Sequence, residues 1–287
     1  MSSVRARAGR WLLDRRGAVA ILLYHRVADL ASDPQRLAVT PAHFEEHLRV
    51  IGDTCTPVAL ADVPSMLRAP RRLPERAVAV TFDDGYRDNL HAAKPLLERH
   101  GVPATVFVAS GYVGSGKPFW WDALDRGGQG DQLVPMKALP LDERERRLAE
   151  LPADGTPRPD DLCVDHDELK RLDGGAVTVG SHTRNHLSLA MQPHEVQHEE
   201  IEAGKRDLSE WLGRPIDLFA YPFGTPGTDV SPETRRIARA AGMEAAAVND
   251  PRVCTVATSR HALPRFLVRD WDGARFEQWL AGEVFAW

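Results

Sequence analysis

The segment Ala77–Tyr86, with the sequence AVAVTFDDGY, restricts the possible folds of this chain more than any other. Its first six residues are almost wholly apolar, are too few for a helix and are followed at once by turn residues. This pattern is typical of a buried parallel strand. Asp83 and Asp84 then lie at the strand's carboxyl end, where open and barrel-shaped α/β sheets place their active sites.

Two neighbouring carboxylates at that end can divide the work, one binding a cation and the other remaining free as a base. Taken alone, Asp83 and Asp84 are more typical of a hairpin turn or of a cap on the following helix. The choice between these interpretations depends on residues about a hundred positions further along the chain.

The composition limits the class of protein and its partners. The chain has 287 residues, 43% hydrophobic and 27% charged, which fits one large or two small globular domains. Its formal net charge of -5 gives no general attraction to nucleic acid or anionic lipid, so neither is predicted as a partner. The cysteines Cys55, Cys163 and Cys254 are scattered and odd in number, which favours a reducing compartment.

Residues 1–17 are rich in arginine and are predicted to form a basic amphipathic helix, with a solvated face favoured over docking to a membrane. The apolar run Ala18–Leu23 is short, lacks a small-residue cleavage site and continues directly into Tyr24 and His25. We interpret it as the first core strand, and no run is long enough to span a bilayer. The expected location is therefore the cytoplasm, with no transmembrane segment.

Helices and strands are predicted to alternate along the rest of the chain. The predicted strands are Ala18–Tyr24, Ala77–Phe82, Ala104–Val108, Ala176–Val179, Ile216–Tyr221, Met243–Val248 and Leu263–Val268. Four predicted helices follow a cap residue, and these caps are Thr40, Asp88 or Asn89, Asp165 and Ser231. The other predicted helices start at Leu60, Pro193 and Ala274. About seven strands with intervening helices indicate a barrel-like α/β fold in a single domain, residues 18–287.

A long, irregular segment interrupts this alternation from about residue 110 to 163. Such an insertion is usually a functional lid or a surface excursion. Phe119, Trp120 and Trp121 within it either stack on a sugar ring or fix the insertion to the core, and the second interpretation is favoured.

A histidine pair, His182 and His186, follows the predicted strand Ala176–Val179. On a helical turn, residues four apart project to one side, so the two imidazoles can share one ion. Together with Asp84 they supply three protein ligands and leave positions open for water and substrate, as in a catalytic metal site. A divalent metal, with Zn²⁺ first, is the predicted cofactor.

Four short motifs resemble those of a known family. They are TFDDGY at Thr81–Tyr86, SHTRNH at Ser181–His186, AYPFG at Ala220–Gly224 and LLYHRV at Leu22–Val27. The chain thereby resembles the polysaccharide deacetylases, the NodB-homology or carbohydrate esterase family 4 group. The resemblance implies a distorted (β/α)7 barrel that uses a divalent metal, commonly zinc, to remove N-acetyl groups from amino sugars.

The resemblance also implies residue roles. Asp83 matches the family's general base, and Asp84, His182 and His186 match its metal ligands. The backbone N–H of Phe223 matches a donor to the oxyanion. Pro222 would stiffen that loop, and Tyr221 belongs to the same substrate-side motif.

The sequence also departs from the family pattern. The third motif often begins with an arginine that steadies the catalytic aspartate, and Ala220 stands there. The motif that supplies a general acid has no clean match, although an amide leaving group needs a proton. His25 is the first candidate for this acid and His261 a weaker one, while Arg265 is a candidate to replace the missing arginine.

Other functions remain open at this point. A non-haem iron oxygenase also uses two histidines and a carboxylate, but usually on a β-sandwich. A deacetylase-like enzyme acting on a non-sugar amide, or an inactive metal-binding protein that recognises carbohydrate, fits the same residues. The leading prediction is an N-deacetylase acting on an N-acetylamino sugar, as a polymer, an oligosaccharide or a small glycoconjugate.

Overall fold

The computed structural model describes residues 17–69, 73–152, 154, 156, 158 and 161–285. The predicted N-terminal helix, residues 1–17, lies outside this part of the chain except for Gly17. None of the helices in the described ranges combines the length and the apolar character needed to cross a membrane.

Parallel strands form the centre of the fold. In chain order they are β1 (Val19–Tyr24), β2 (Arg26–Val27), β3 (Ala38–Val39), β4 (Thr56–Pro57), β5 (Ala77–Phe82), β6 (Ala104–Val108), β7 (Val177–Ser181), β8 (Leu218–Ala220), β9 (Ala245–Val248), β10 (Leu263–Pro264) and β11 (Phe266–Leu267). The main sheet has the order β10-β9-β8-β7-β6-β5-β1-β11, with β4 paired to β5, and β2 pairs with β3 separately. All of these pairings are parallel.

The last strand segment nearly closes the sheet into a barrel. β10 pairs with β9 at one edge, whereas β11 pairs with β1 at the other edge, and only Arg265 lies between them. The prediction of one continuous strand over Leu263–Val268 was therefore wrong, because the chain passes from one edge of the sheet to the other at Arg265. Six full strands and this divided seventh confirm the distorted (β/α)7 barrel.

Helices surround the barrel. They are α1 (Pro41–Thr54), α2 (Val63–Arg68), α3 (Lys94–His100), α4 (Trp120–Arg126), α5 (Leu133–Lys137), α6 (Leu141–Glu150), α7 (His166–Leu172), α8 (His194–Leu212), α9 (Pro232–Ala240) and α10 (Gly273–Trp279). The predicted caps Thr40, Asp165 and Ser231 are confirmed, since each side chain accepts a hydrogen bond from an N–H of the first turn.

The predicted cap before α3 was wrong. A π-helical turn, Asn89–Ala93, precedes α3, and the Asp88 side chain makes no capping bond. The Asp88 carboxylate instead accepts hydrogen bonds from the Val27 N–H and from Arg26 Nε, both at 3.0 Å. Asp88 therefore joins the start of the helix to β2, a contact that no local pattern contains.

Strand residues alternate between the barrel interior and the helical layer. The interior cluster combines alanines with larger aliphatic side chains and with Phe107, which is fully buried there and contributes about 1.5–3 kcal/mol. Gly180 follows the predicted strand Ala176–Val179 and lies within β7, which extends two residues further. A Cβ atom at Gly180 would approach the Phe107 ring to 2.7 Å, so the glycine makes room for this ring.

The insertion is packed against the barrel by its aromatic side chains. Phe119, Trp120 and Trp121 expose 0%, 3% and 4% of their surface. The Phe119 and Trp121 rings stack with their centroids 4.6 Å apart, and Phe119 lies 4.8 Å from Tyr86. The interpretation that these residues fix the insertion to the core is confirmed.

Candidate active site

The carboxylate pair lies at the end of β5, as the strand pattern predicted. Asp83 and Asp84 are each 2% exposed. Consecutive side chains of a strand point to opposite faces, but Asp84 has φ +75° and interrupts this alternation. Both carboxylates consequently lie near one imidazole: His182 Nε2 is 3.8 Å from Asp83 Oδ2 and 3.7 Å from Asp84 Oδ1.

The histidines follow β7, which continues to Ser181. The expected helical turn was wrong, because Thr183 has φ +64° and His186 has φ +52°. Left-handed residues of this kind are costly without glycine and cluster at functional sites. This irregular turn, rather than helical spacing, brings the His182 and His186 rings together, with centroids 4.8 Å apart.

Asp84, His182 and His186 converge as a candidate metal centre. Their ligand atoms all lie within 4.8 Å of one another, and Asp84 Oδ1 is 3.2 Å from His186 Nε2. His182 Nδ1 lies 2.8 Å from the Ala220 carbonyl oxygen. A proton on Nδ1 donated to that oxygen leaves the Nε2 lone pair for an ion, the usual arrangement behind a metal-bound histidine.

The protonation of these groups suits a cation. Burial lowers the pKa of His182 to about 4, and burial with the nearby Arg144 charge lowers the pKa of His186 to about 3. Both rings are therefore neutral near pH 7, which is the form that binds metal. Burial raises the pKa of Asp84, and a bound cation would reverse this shift. The donor set fits a divalent transition metal.

Asp83 is held by Arg265 rather than by the candidate metal ligands. Arg265 Nη1 and Nη2 each donate to one Asp83 oxygen at 2.7 Å, a bidentate pair with Arg265 only 1% exposed. Burial alone would raise the pKa of Asp83, but Arg265 and His182 outweigh it and lower the pKa to about 2. Asp83 is thus ionised, as a proton acceptor must be.

Asn249 is a residue of the candidate site that no sequence motif indicated. Its Oδ1 accepts a hydrogen bond from Arg265 Nη2 at 2.9 Å, and its Nδ2 donates to the Phe223 carbonyl oxygen at 2.6 Å. Asn249 therefore connects the Asp83–Arg265 pair to the loop after β8. The only available signal was its position directly after the predicted strand Met243–Val248.

His25 follows β1 and lies beside the carboxylate pair. It is half-buried, and its Nδ1 is buried with no hydrogen-bond partner among the described residues. Burial lowers the pKa of His25, while the charges of Asp84 and Asp83 act in the opposite direction. The ring is thus placed at the site with one nitrogen not engaged by the described protein groups.

The loop after β8 brings Phe223 to the candidate metal centre. Its ring centroid is 4.8 Å from that of His186, and Lys137 Nζ lies 4.4 Å from the Phe223 centroid. Phe223 has φ +59°, and Pro222 before it is buried. Within the described ranges, the Phe223 amide N–H has no hydrogen-bond acceptor, so it is available to a ligand.

Two of the predicted site residues do not point into this centre. The Tyr221 side chain packs outside the barrel, where its ring meets Phe219 at 4.9 Å and its hydroxyl donates to the His261 carbonyl oxygen. His261 Nε2 is 2.9 Å from the carbonyl oxygen of Met243, before the amino end of β9. Because the carboxylate pair and the histidine pair lie at the carboxyl ends of the strands, His261 lies at the opposite end of the barrel from the candidate centre.

Comparison with known protein families gives a match to the polysaccharide deacetylase family. The family model matches residues 71–246, more than half of the chain. The chain belongs to the polysaccharide deacetylase family. The matched segment includes the Asp83–Asp84 pair and both histidines of the candidate centre. It does not include His25, Asn249 or Arg265.

Polysaccharide deacetylases appear among the similar proteins and structures. YxkH of Bacillus subtilis (strain 168), which carries the polysaccharide deacetylase name, is 23% identical over 263 residues, 90% of this chain and 74% of that protein. The poly-beta-1,6-N-acetyl-D-glucosamine N-deacetylase of Escherichia coli (strain K12) is 34% identical over 89 residues, 31% of this chain and 13% of that protein. The structure of the Streptococcus pyogenes deacetylase PplD shares the fold, with a TM-score of 0.68 and 19% identity over 92% of this chain and 98% of that one.

Proposed function

We propose that this chain is a metal-dependent N-deacetylase that removes the N-acetyl group of an N-acetylamino sugar. The observation that carries the proposal is the convergence of Asp84, His182 and His186 beside an ionised Asp83. The family supports deacetylation, and the Escherichia coli relative, named for poly-N-acetylglucosamine, supports an amino-sugar substrate.

Asp84, His182 and His186 would hold the cation, for which Zn²⁺ fits the mixed nitrogen and oxygen donors. A bound Zn²⁺ lowers the pKa of water from about 15.7 toward 7 and polarises a carbonyl group. His182 keeps its Nε2 directed to this position through the Nδ1 contact with Ala220. Burial keeps both imidazoles neutral and so able to bind.

Asp83 acts as the general base. Its carboxylate takes the proton of the water that attacks the acetyl carbonyl carbon, and Arg265 holds both oxygens in place during this transfer. Arg265 binds Asp83, whereas Asp84 lies with His182 and His186. Asp83 can therefore accept a proton while Asp84 binds the cation.

Phe223 stabilises the negative charge that develops in the reaction, and His25 supplies the proton that the leaving nitrogen needs. The Phe223 amide N–H donates to the acetyl oxygen as that oxygen gains negative charge. Asn249 holds this loop in place through its hydrogen bond to the Phe223 carbonyl oxygen. His25 delivers a proton to the sugar nitrogen as the carbon–nitrogen bond breaks. The charges of Asp84 and Asp83, which favour the protonated ring, and the Nδ1 atom without a hydrogen-bond partner among the described residues support this assignment.

Acetate release tests the proposed reaction. Protein reconstituted with Zn²⁺ would be incubated with β-1,6- and β-1,4-linked N-acetylglucosamine oligomers, a simple N-acetylglucosamine glycoside and N-acetyl-lysine. We expect acetate from at least one sugar and none after chelation. Acetate from N-acetyl-lysine alone would indicate a non-sugar amidase, and tight metal binding without acetate from any substrate would indicate a recognition protein. Either result would overturn the proposal.

Two substitutions separate the base from the metal ligands. Asp83→Asn should retain Zn²⁺ and lose about 10²–10⁴-fold in kcat, because only the proton acceptor is removed. His182→Ala should lose both metal and turnover. His198→Ala on the exposed side of α8 is the matched histidine control and should behave as wild type. Full activity of Asp83→Asn would remove the base assignment.

A further inference from the structure

The insertion contacts the candidate metal centre through a buried arginine. Arg144 lies on α6 and is 2% exposed. Its Nη2 donates to the Asn185 carbonyl oxygen at 2.9 Å and its Nη1 donates to the His186 carbonyl oxygen at 3.3 Å. The guanidinium also lies over the Trp120 ring, 5.3 Å from its centroid. One side chain from the insertion thus binds two successive carbonyls of the histidine loop.

The same two residues are held from the opposite direction through their N–H groups. The Asn185 N–H donates to Glu200 Oε2 at 2.8 Å, and the His186 N–H donates to Thr183 Oγ1 at 3.0 Å. His186 is left-handed, with φ +52°, a conformation that persists only where its surroundings enforce it. Arg144 contributes to this restraint by binding the carbonyl oxygens of the same two residues.

The chemistry of Arg144 argues against a role in general packing. Among the described residues its side-chain hydrogen bonds go only to these two carbonyls, and no carboxylate forms an ion pair with it. A buried cation without a carboxylate partner is poor at stabilising a fold, and an apolar residue would fill this space at lower cost. The two donated hydrogen bonds are what the arginine adds.

The Trp121 ring, next to Trp120 in the insertion, lies against His186, with centroids 4.5 Å apart. The insertion therefore touches both the backbone and the ring of this candidate ligand. Building on the proposed metal site, we propose that Arg144 is a positioning residue that holds the Asn185–His186 turn so that His186 faces the cation. The insertion then forms one rigid side of the metal centre.

Zinc affinity tests this inference independently of turnover. Apo protein would be titrated with Zn²⁺ against a chromophoric chelator, and the unfolding midpoint of each apo variant would be measured by circular dichroism. We expect Arg144→Met to weaken Zn²⁺ binding by about 10–100-fold, as for other residues that orient metal ligands. Arg144→Lys, which can still donate to a carbonyl, should recover part of the affinity. Arg147→Met, exposed on the same helix, is the control and should bind as wild type.

The outcomes distinguish this inference from the proposed function. A folded Arg144→Met variant with wild-type affinity would overturn the inference and leave the proposed function standing. Wild-type protein that binds no Zn²⁺ would overturn both. If Arg144→Met does not fold, Arg144→Lys decides: weaker binding supports the positioning role, and unchanged binding overturns it.

Discussion

Arg265 shows how one side chain can set the chemistry of another. Asp83 is buried in surroundings that by themselves raise its pKa, yet two charge-assisted hydrogen bonds from Arg265 keep it ionised. The resemblance of the third motif matched Ala220 to the position where the family often has an arginine. The structure brings an arginine to Asp83 from the last strand segment instead, 182 residues away in the sequence.

Arg265→Met should therefore change the pH dependence of activity. In the wild type the pKa of Asp83 is lowered to about 2, so the base is ionised throughout the working range. Without Arg265, burial raises this pKa, and the acid limb of the kcat/KM profile should move to higher pH. Leaving Asp83 buried and unpaired should also cost about 3–5 kcal/mol of stability. The measurements are the pH profile and urea unfolding.

Arg260→Met is a suitable control for this substitution. Arg260 pairs with Glu244 at the surface, where both side chains are more than 40% exposed. Its loss should leave the pH profile unchanged, because exposed ion pairs contribute little. An acid limb that stays at the wild-type pH in Arg265→Met would show that Arg265 does not control the ionisation of Asp83.

At the scale of elements, α8 packs directly on the histidine loop. Gly204 of α8 is buried, and a Cβ atom there would lie 2.6 Å from the carbonyl carbon of Thr183 and 3.0 Å from Ser181 Oγ. The absence of a side chain thus sets how closely the helix approaches the loop. Helix position and ligand position are consequently linked.

Gly204→Ala should displace the Thr183 backbone and weaken both folding and metal binding. Overpacking of this kind costs about 1–3 kcal/mol, and the displaced loop should bind Zn²⁺ less tightly. Urea unfolding and chelator competition measure the two effects. Gly52→Ala in α1 is the control, because no atom lies within 4 Å of its added Cβ. That control should gain about 0.5–1 kcal/mol, and wild-type stability in Gly204→Ala would contradict the proposed contact.

At the scale of the whole molecule, the candidate ligands are brought together only by the fold. Asp84 follows β5, whereas His182 and His186 follow β7, with β6 between them in the sheet. The unfolded chain does not hold these groups together, so a cation should bind the folded state preferentially. The metal centre and the barrel should then stabilise each other.

Zinc should consequently raise the thermal unfolding midpoint. At a free concentration one hundred times its Kd, a ligand of the folded state adds about 2.7 kcal/mol. For a chain of roughly this size, each 1 kcal/mol shifts Tm by about 2–4 °C, so the shift should be roughly 5–10 °C. Thermal unfolding followed by circular dichroism provides the measurement, and His182→Ala should show no shift. A wild-type Tm that does not respond to Zn²⁺ would contradict this coupling.

The sequence by itself determined the main strands and the ends from which the site is built. The short apolar runs that end before Asp83 and before Gly180 are local patterns, and burial of a strand on both faces leaves a clear local signature. For the same reason the caps Thr40, Asp165 and Ser231 could be predicted, since a cap and its N–H partner lie within one turn.

Only the tertiary structure decided which side chains face one another. The contacts of Arg265 with Asp83, of Asn249 with Phe223 and of Arg144 with His186 join distant parts of the chain. The same geometry places His261 away from the candidate centre, near the amino end of β9. These contacts depend on closure of the barrel at Arg265 and on left-handed backbone at Asp84 and His186. A local sequence pattern specifies the element in which a residue lies, whereas the direction of its side chain follows from the packing of the whole barrel.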